Sequence, residues 1–228
     1  MLKLGLDLSL GNVGGWTPQA ESSLEAWFKN KTKVSFQVAP NSDRVYAWLT
    51  PTNNKVFLSE NVAESPTYNA TTGAMTFDPS ATQHMSGSEI SLSGDFTIGI
   101  RLNVNNVGGV VLGDQSEVGE FFRIFSPTVL RVKIDNATAV DLELDSGVWG
   151  DGYMVVTRDA DNQLILYWNG VKQTTATPIL AGTADIDSIG VRRIDLNPFD
   201  GSVSEIQVFS STSAGLTGEV NRRLASIV

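Results

Sequence analysis

The sequence predicts an all-β protein in which two antiparallel sheets pack face to face as a sandwich. Short segments of alternating apolar residues recur at roughly 8–12-residue spacing, with turn residues between nearly all of them. Two of these segments, 154–158 and 164–169, flank a polar turn. Asn169-Gly170 then opens a second tight turn, a strong hairpin signal because both residues tolerate positive φ. The chain has 228 residues, 41% of them apolar, which is enough for the core of one sandwich.

Residues 1–16 are predicted to form a separate arm. Leucines occupy every second position of its first ten residues and give a strand with one apolar face: Leu2, Leu4, Leu6, Leu8 and Leu10. The glycine-rich stretch 11–15 has the composition of a flexible hinge. An apolar face must be buried, either as an edge strand of the chain's own sheet or as an anchor on another subunit. We expect the anchor, and we interpret the segment as mature sequence because Asp7 interrupts the apolar run.

The domain itself is expected to cover residues 17–228 and to open with a short helix. Thr17-Pro18 is a helix-start signal, and Leu24, Trp27 and Phe28 have the i, i+3, i+4 spacing of a helical face. Beyond this helix, alternation and turn residues predict strands at 34–38, 44–49, 55–58, 74–77, 96–104, 109–113, 120–125, 129–134, 138–144, 152–158, 163–169, 186–191 and 202–209.

A second short helix is predicted at the C-terminus. Leu216, Val220 and Leu224 stand at i, i+4 and i+8, as the apolar stripe of a helix requires. Arg222-Arg223 near its end suits the negative pole of the helix dipole. The predicted fold is therefore a two-sheet antiparallel sandwich with a short C-terminal helix and an N-terminal arm.

Composition excludes several classes of partner and chemistry. The net charge is −9 and no basic block is present, so we expect no nucleic acid partner. The absence of cysteine excludes disulfides, thiol catalysis and thiolate zinc sites. No apolar run approaches the ~18–20 residues of a membrane-spanning helix, so we expect no membrane partner.

Five segments, in chain order, resemble those of a known family. They are Leu24-Glu25-Ala26-Trp27-Phe28; Pro66-Thr67-Tyr68 with Phe77-Asp78; Phe96-Thr97-Ile98; Arg158-Asp159 with Tyr167-Trp168-Asn169-Gly170; and the stretch 199–209. Through them the chain from Ser22 to Val228 resembles the concanavalin A-like lectin/glucanase superfamily, specifically the laminin-G-like jelly rolls of phage and bacterial surface proteins. Pro79 stands where that family usually has glycine. The resemblance implies a jelly roll, whereas function must be argued from a site.

Catalytic candidates are few. Glucanases of this superfamily project carboxylates from alternate positions of one strand. Asp141, Glu143 and Asp145 alternate in this way, but in a different order, and we interpret them as the solvated face of an amphipathic strand. We also expect Glu117 and Glu120 to be exposed. The single histidine, His84, is expected to be structural, so no catalytic residue is assigned and we expect no enzyme.

Ligand candidates come from the loops. The resemblance leaves calcium open as a cofactor, with Asp114, Asp151 and Asp159 as loop carboxylates, but the dense acidic loop of a calcium site is missing and we expect no metal. Trp149 lies in a glycine-rich loop, where it either stacks on a sugar or caps the sandwich. Trp149 and Asp151 are therefore the candidate ligand-binding residues.

The function expected from these features is that of a non-enzymatic virion structural protein. It is either a capsid decoration or a fibre-associated attachment module of a bacteriophage, located in the virion. Its partners are other virion proteins or copies of itself, through residues 1–16. The alternative is a carbohydrate-binding, lectin-like module at the cell surface or outside the cell, with glycan as partner. A glycoside hydrolase is a more distant alternative.

Overall fold

A computed structural model describes residues 16–31, 43–51, 54–59, 61–115, 119–135, 137–192 and 196–227, together with the backbone of 34–36. The anchor leucines of the predicted arm lie outside the described residues. The described strands are β1 Leu24–Phe28, β2 Val34–Phe36, β3 Val45–Leu49, β4 Val56–Leu58, β5 Thr67–Asn69, β6 Ala74–Phe77, β7 Met85–Leu92, β8 Phe96–Asn106, β9 Val110–Gly113, β10 Phe121–Ser126, β11 Val129–Lys133, β12 Val140–Glu143, β13 Asp151–Arg158, β14 Leu164–Trp168, β15 Val171–Lys172, β16 Ala184–Ile189 and β17 Asp200–Phe209. One α-helix, α1 (Ala214–Ala225), and two 3-10 turns, Pro18–Ala20 and Pro79–Ala81, complete the described elements.

The strands form two antiparallel sheets. Sheet A has the order β15-β14-β13-β8-β17-β6-β5, and β1 also pairs with β17. Sheet B has the order β12-β11-β10-β9-β16-β7-β4-β3-β2. Neighbours such as β8 and β17 are distant in sequence, so the chain crosses repeatedly between the sheets. The predicted all-β, two-sheet jelly-roll sandwich with a C-terminal helix is confirmed.

The inner faces of the two sheets enclose one apolar core. The residues predicted to point inward are at most 1% exposed: Phe96, Ile98 and Ile100 of β8, Met154 and Val156 of β13, and Leu164 and Leu166 of β14. Trp27, Trp48 and Trp168 are also buried, as expected. Alternation along the strands therefore identified the core correctly.

The helix predicted around Leu24–Phe28 is wrong, because this segment is strand β1. Its register with β17 shifts between Leu24 and Ala26, and this irregularity interrupts the simple alternation of a strand. Ala26 and Phe28 enter the core, while Trp27 lies on the other face and is also buried. Because residues on both faces of the strand are buried, its apolar residues do not alternate, and their i, i+3, i+4 spacing resembles that of a helix. Within residues 16–31, the one helical turn is Pro18–Ala20.

Helix α1 covers part of the outer face of sheet A. Ser213 caps its start, because the Ser213 hydroxyl accepts a hydrogen bond from the Leu216 amide at 3.1 Å. The predicted stripe of Leu216, Val220 and Leu224 packs in a second apolar cluster with Val155 and Phe209. Glycine at position 99 is required by this packing, since a Cβ there would lie 2.4 Å from the Val220 Cγ1 atom. Within the described residues, no helix is long and apolar enough to cross a bilayer.

A buried ion pair fastens α1 to sheet A. The Glu205 side chain is fully buried, and both of its carboxylate oxygens accept hydrogen bonds from the Arg223 guanidinium at 2.8 Å. The same carboxylate accepts hydrogen bonds from the Trp27 indole (2.9 Å) and the Asn30 amide (3.1 Å). Because both Glu205 oxygens accept hydrogen bonds from the protein, this carboxylate serves to hold α1 against the part of sheet A that the helix covers.

Candidate functional site

Beyond the C-terminus of α1, the outer face of sheet A is open and polar. A groove of about 350 Å³ lies there, next to the last turn of the helix. The residues that line it are Thr72, Ala74, Arg101, Leu102, Asn103, Asp151, Ser202, Ser204 and Ile227. Most of these come from the central strands β8, β13 and β17, so the groove has a rigid floor.

Strand pairing builds a polar row across this floor. Asn103 of β8 is the register partner of Asp151 in β13 and of Ser202 in β17. Ser202 is in turn the partner of Thr76 in β6. Four polar side chains therefore lie side by side on neighbouring strands, about 4.8 Å apart. Such a row offers hydroxyl, amide and carboxylate groups at regular intervals.

Arg101 and Asp151 form the charged end of the row. The Arg101 side chain is only 16% exposed, and its guanidinium donates hydrogen bonds to the carbonyls of Gly152 (2.6 Å) and Ile227 (3.2 Å). The Asp151 side chain is 71% exposed and lies 2.7 Å from the guanidinium. Arg101 is thus held in place by the protein, whereas Asp151 keeps part of its carboxylate accessible to a ligand.

The amide groups next to the row are also ordered by hydrogen bonds. The Asn103 side-chain amide donates to Asn105 Oδ1 at 3.0 Å, and Asn105 donates to Asp200 Oδ1 at 3.1 Å. Asn106 donates to the second oxygen of Asp200. This chain of bonds fixes the orientation of the Asn103 amide, which lowers the entropic cost of using it to bind a ligand.

The two ligand residues predicted from the sequence lie in different environments. Asp151 lines the groove, as described above. Trp149 is 6% exposed and packs edge-on against Trp168, with ring centroids 4.9 Å apart and an interplanar angle of 74°. An exposed sugar platform at Trp149 is therefore wrong, and the alternative role, capping the sandwich, is the observed one. A ligand role for Asp151 stays a prediction.

Asp141 and Glu143 were predicted to lie on the solvated face of a strand, and this prediction is confirmed. Leu142 and Leu144 are buried, while Asp141 and Glu143 point to the outer face of sheet B. The Arg131 guanidinium bonds both oxygens of Asp141 and holds the pKa of that carboxyl below its usual range. Asp145 accepts hydrogen bonds from the Thr175 and Thr174 hydroxyls and amides, which lower its pKa strongly. Ionised, bonded carboxylates of this kind are poor general acids.

Glu120 was expected to be exposed, and this expectation is wrong. It is 4% exposed, and its carboxylate accepts hydrogen bonds from the backbone amides of Asp135 (2.6 Å) and Asp185. Burial raises the pKa of Glu120 to about 7, with smaller contributions from the charges of Asp185 and Asp114, while the two amides oppose the shift. Both amide donors come from distant segments, so no local pattern could reveal this burial. Glu117 lies outside the described residues.

The three aspartates considered for calcium do not form one site. Asp151 and Asp159 stand at opposite ends of β13, more than about 20 Å apart at the usual rise of a strand. Asp114 is buried directly after β9. Asp159 accepts hydrogen bonds from the amides of Asp161 and Gln163 within its own turn. Within the described residues, no group of three or more potential ligands could hold a metal ion.

His84 lies at a second cavity, of about 410 Å³, whose lining also includes Ser59, Glu64 and Ser86. The His84 Nδ1 atom is 2.9 Å from the Thr82 carbonyl, where the acid of a catalytic triad would have to bind. Glu64 instead accepts a hydrogen bond from the Asn61 side chain at 2.9 Å. These contacts favour the expected structural role of His84.

The described chain begins at Trp16, which shows where residues 1–15 join the domain. The Trp16 ring packs near Phe209, with centroids 6.2 Å apart, and its indole donates to Glu21 at 2.7 Å. Trp16 also borders a cavity of about 290 Å³ along α1, with Glu219, Arg222, Arg223 and Ser226. The junction therefore lies at the last residue of β17, whereas the groove lies near the start of that strand.

Comparisons with known proteins identify the fold. No protein-family model matches the chain, and no curated protein is significantly similar in sequence. A mutant of Trypanosoma rangeli sialidase that displays trans-sialidase activity superimposes with a TM-score of 0.52 at 14% identity, over 93% of this chain and 34% of the sialidase. Domain 4 of AbnA, a GH43 extracellular arabinanase from Geobacillus stearothermophilus solved with arabinotriose, gives 0.50 at 11% identity, over 87% of this chain and 98% of that domain.

A SAP-like pentraxin from Limulus polyphemus is more distant, with a TM-score of 0.45 at 13% identity over 60% of this chain and 71% of the pentraxin. The chain spans about a third of the sialidase it matches. At these identities the comparisons show the fold alone. That fold is a two-sheet jelly-roll sandwich.

Proposed function

We propose that the chain is a non-enzymatic binding module that holds a hydroxyl-rich ligand, a glycan, in the groove beside α1. The observation that carries this proposal is the row of Asp151, Asn103 and Ser202 on adjacent strands. Sugar hydroxyls both donate and accept hydrogen bonds, and the row supplies carboxylate, amide and hydroxyl partners for them. The arabinanase domain that shares this fold was solved with arabinotriose, which supports a saccharide as the class of ligand.

Binding without hydrolysis is favoured by the charges of the groove. Glycoside hydrolysis ordinarily needs two carboxyl groups placed on either side of the scissile bond, one of them able to donate a proton. Asp151 is the one carboxylate among the described residues that line the groove, and it is paired with Arg101. The groove can therefore orient a sugar but offers no acid–base pair to cleave it.

We further propose that a bacteriophage particle carries this module, through residues 1–16. The resemblance to phage jelly rolls supports this assignment, and so does the alternating leucine face of the arm. The arm joins the domain beside Phe209, while Ser202 in the groove lies seven residues away along β17, roughly 20 Å. Attachment at one end of the strand would leave the groove at the other end free.

The ligand proposal is tested with an array of neutral oligosaccharides that includes arabinotriose. The full chain should bind at least one member, and incubation with that member should release no reducing sugar. The variant Asn103→Ala with Ser202→Ala should lose about tenfold in affinity or more, since it removes two hydrogen-bonding groups. Failure to bind any glycan, or release of reducing ends by the pure protein, would contradict the proposal.

The anchor is tested separately with Leu4→Asp and Leu8→Asp in one chain. Incorporation into the phage particle should be lost, because charged side chains cannot be buried on an apolar partner surface. Glycan affinity should match that of the wild type, since the groove is untouched. Normal occupancy of the double variant in the particle would end the anchor hypothesis and leave the ligand proposal standing.

A further inference from the structure

A second cavity, of about 410 Å³, lies where β4 pairs with β7 in sheet B. Leu58 of β4 and Ser86 of β7 are register partners, and both line it. Ser59 and Glu64, in the loop after β4, and His84, directly before β7, contribute to the rest of the lining. The volume is within the range of small-ligand sites. The groove lies on sheet A, so this cavity is a separate candidate site.

The base of the cavity is formed by the close approach of β4 and β7. Gly87 lines the cavity and is the register partner of Phe57. A Cβ at position 87 would lie 1.9 Å from the Val56 carbonyl oxygen, so the strands can approach this closely only with glycine there. The base is therefore part of the sheet rather than of a loop.

The loop after β4 is ordered by hydrogen bonds. The His84 amide donates to the Glu64 carbonyl at 3.0 Å, which ties the loop to the start of β7. Asn61, which also lines the cavity, accepts a hydrogen bond through its Oδ1 atom from the Ala63 amide at 3.0 Å. The Asn61 carbonyl accepts one from the Ser65 hydroxyl, also at 3.0 Å. A lining that is ordered before binding loses less entropy when a ligand arrives.

Glu64 carries the negative charge of the cavity, because it is the one aspartate, glutamate, lysine or arginine among the described lining residues. Its Oε1 atom accepts a hydrogen bond from the Asn61 side chain at 2.9 Å, and no described group donates to its Oε2 atom. No lysine or arginine of the described part of the chain forms an ion pair with it. Arg44 donates to the Ser65 carbonyl at 2.8 Å and does not line the cavity. One carboxylate oxygen of Glu64 can therefore accept a hydrogen bond from a ligand.

The other polar groups of the lining include further hydrogen-bond acceptors. The His84 Nδ1 atom is 2.9 Å from the Thr82 carbonyl. Because a carbonyl only accepts, Nδ1 carries the proton, and Nε2 of the neutral ring is then an acceptor. The hydroxyls of Ser59 and Ser86 can accept as well as donate. The cavity thus combines several acceptors with one negative charge.

The charge of this cavity differs from that of the groove on sheet A. In the groove, Asp151 is paired with Arg101, so the two charges offset each other. In the cavity, the charge of Glu64 is not offset by any described lining residue. An ammonium group has three donors and a positive charge, and it therefore complements an acceptor-rich lining that carries a negative charge.

We propose that this cavity binds an amino sugar through its free ammonium group. The Glu64 Oε2 atom accepts a charge-assisted hydrogen bond from that group, and such bonds are about twice as strong as neutral ones. The hydroxyls of Ser59 and Ser86 bind the hydroxyl groups of the sugar ring. This site goes beyond the proposed glycan binding in the groove and does not depend on it.

The test is titration calorimetry of the full chain with a glucosamine trimer and with its fully N-acetylated counterpart, in which each amine is blocked as an uncharged amide. At low salt the glucosamine trimer should bind about tenfold more tightly or better, because only it carries ammonium groups. Its affinity should fall as salt is added, since the contact with Glu64 is electrostatic. Equal affinities for the two trimers, or no binding of the glucosamine trimer, would overturn the proposal.

The charge of Glu64 is tested with Glu64→Gln, which keeps the size of the side chain. Affinity for the glucosamine trimer should fall about tenfold or more, because the charge-assisted hydrogen bond is lost. The matched control is Asp161→Asn, the same loss of charge in the exposed turn between β13 and β14, and it should leave the affinity unchanged. Unchanged affinity in Glu64→Gln would contradict the proposed role of this carboxylate. Circular dichroism confirms that each variant is folded.

Two further measurements separate this site from the groove and the sugar from a simple amine. If Asn103→Ala with Ser202→Ala loses the glucosamine trimer while Glu64→Gln retains it, the amino sugar binds in the groove. That result would overturn the cavity site and leave the groove proposal standing. Cadaverine, which has ammonium groups but no hydroxyls, should bind about tenfold more weakly than the trimer or worse. Equal affinity for cadaverine would show that the amine alone is recognised, which would overturn the assignment of a sugar.

Discussion

The outer face of sheet A has two halves that share strands and differ in side chains. Beneath α1 the outward residues include small and apolar ones, such as Gly99 and Val155, and the helix covers them together with the buried Glu205. Beyond α1 the same strands turn Arg101, Asn103 and Ser202 outward into an open groove. The backbone is continuous through both halves. The change of side chains therefore marks where packing against the helix ends and where the open groove begins.

The largest effect is expected in the covered half, from Glu205→Ala. The substitution leaves the Arg223 guanidinium and the Trp27 indole without their buried acceptor, while Glu205 itself is fully buried. Breaking one side of a buried ion pair costs about 3–5 kcal/mol of stability. Urea unfolding should show a loss in this range. A loss below about 0.5 kcal/mol, the level of surface substitutions, would mean that α1 is not held by this pair.

An intermediate effect is expected from Glu120, a buried carboxylate whose hydrogen-bond donors among the described residues are backbone amides rather than a cation such as the Arg223 that pairs with Glu205. Its pKa is about 7 in the folded protein and near its ordinary 4.5 when unfolded, so the folded state binds the proton more tightly. Stability should therefore rise, by roughly 1–3 kcal/mol, as pH falls from 7.5 to 5. Burial raises the pKa of Asp187 and adds a change of the same sign.

The matched control for this pH dependence is Glu120→Gln, which cannot titrate. The slope between pH 7.5 and 5 should shrink in this variant. Carboxylates with lowered pKa, such as Asp141, lose their contribution only at lower pH and leave this window undisturbed. Equal slopes for the variant and the wild type would show that Glu120 does not hold a proton at neutral pH.

The smallest effect on stability is expected in the open half. Asn103→Ala with Ser202→Ala removes polar groups from the groove and no core atoms. Its free energy of unfolding should stay within about 0.5 kcal/mol of the wild type for each substitution, as for other surface sites. A loss of unfolding free energy as large as that of Glu205→Ala would show that the polar row stabilises the fold. The open half of the outer face would then have the same structural role as the half covered by α1.

Much of the fold could be predicted from the sequence, because the alternation of apolar and polar residues along a strand indicates which of its faces is buried. It identified β8, β13, β14 and their inward residues. Strand β7 was missed because serine and glycine, which have weak strand propensity, occupy most of its outward positions. Segment 24–28 was mistaken for a helix because both of its faces are buried, so periodicity no longer distinguished strand from helix.

The site could be predicted only in part. Asp151 was a candidate because of its loop and does line the groove, but Asn103, Ser202 and Arg101 were not candidates. Their row exists only through the pairing of β8 with β13 and β17, and long-range register of this kind has no local signature. One signal was available in β8, where the outward residues change from Thr97 and Gly99 to Arg101 and Asn103. The helix cover ends at this point of the strand.

The central claim is that the groove holds the ligand. It is tested most directly by titration calorimetry with the neutral oligosaccharide that binds best on the array. Two variants are compared with the wild type: Ser202→Trp, which fills the groove, and Ser93→Trp, the same change at an exposed site in the loop between β7 and β8. Ser202→Trp should reduce affinity at least tenfold, roughly 1.4 kcal/mol, whereas Ser93→Trp should leave it unchanged. Equal affinity for Ser202→Trp and the wild type would place the ligand elsewhere and contradict the account.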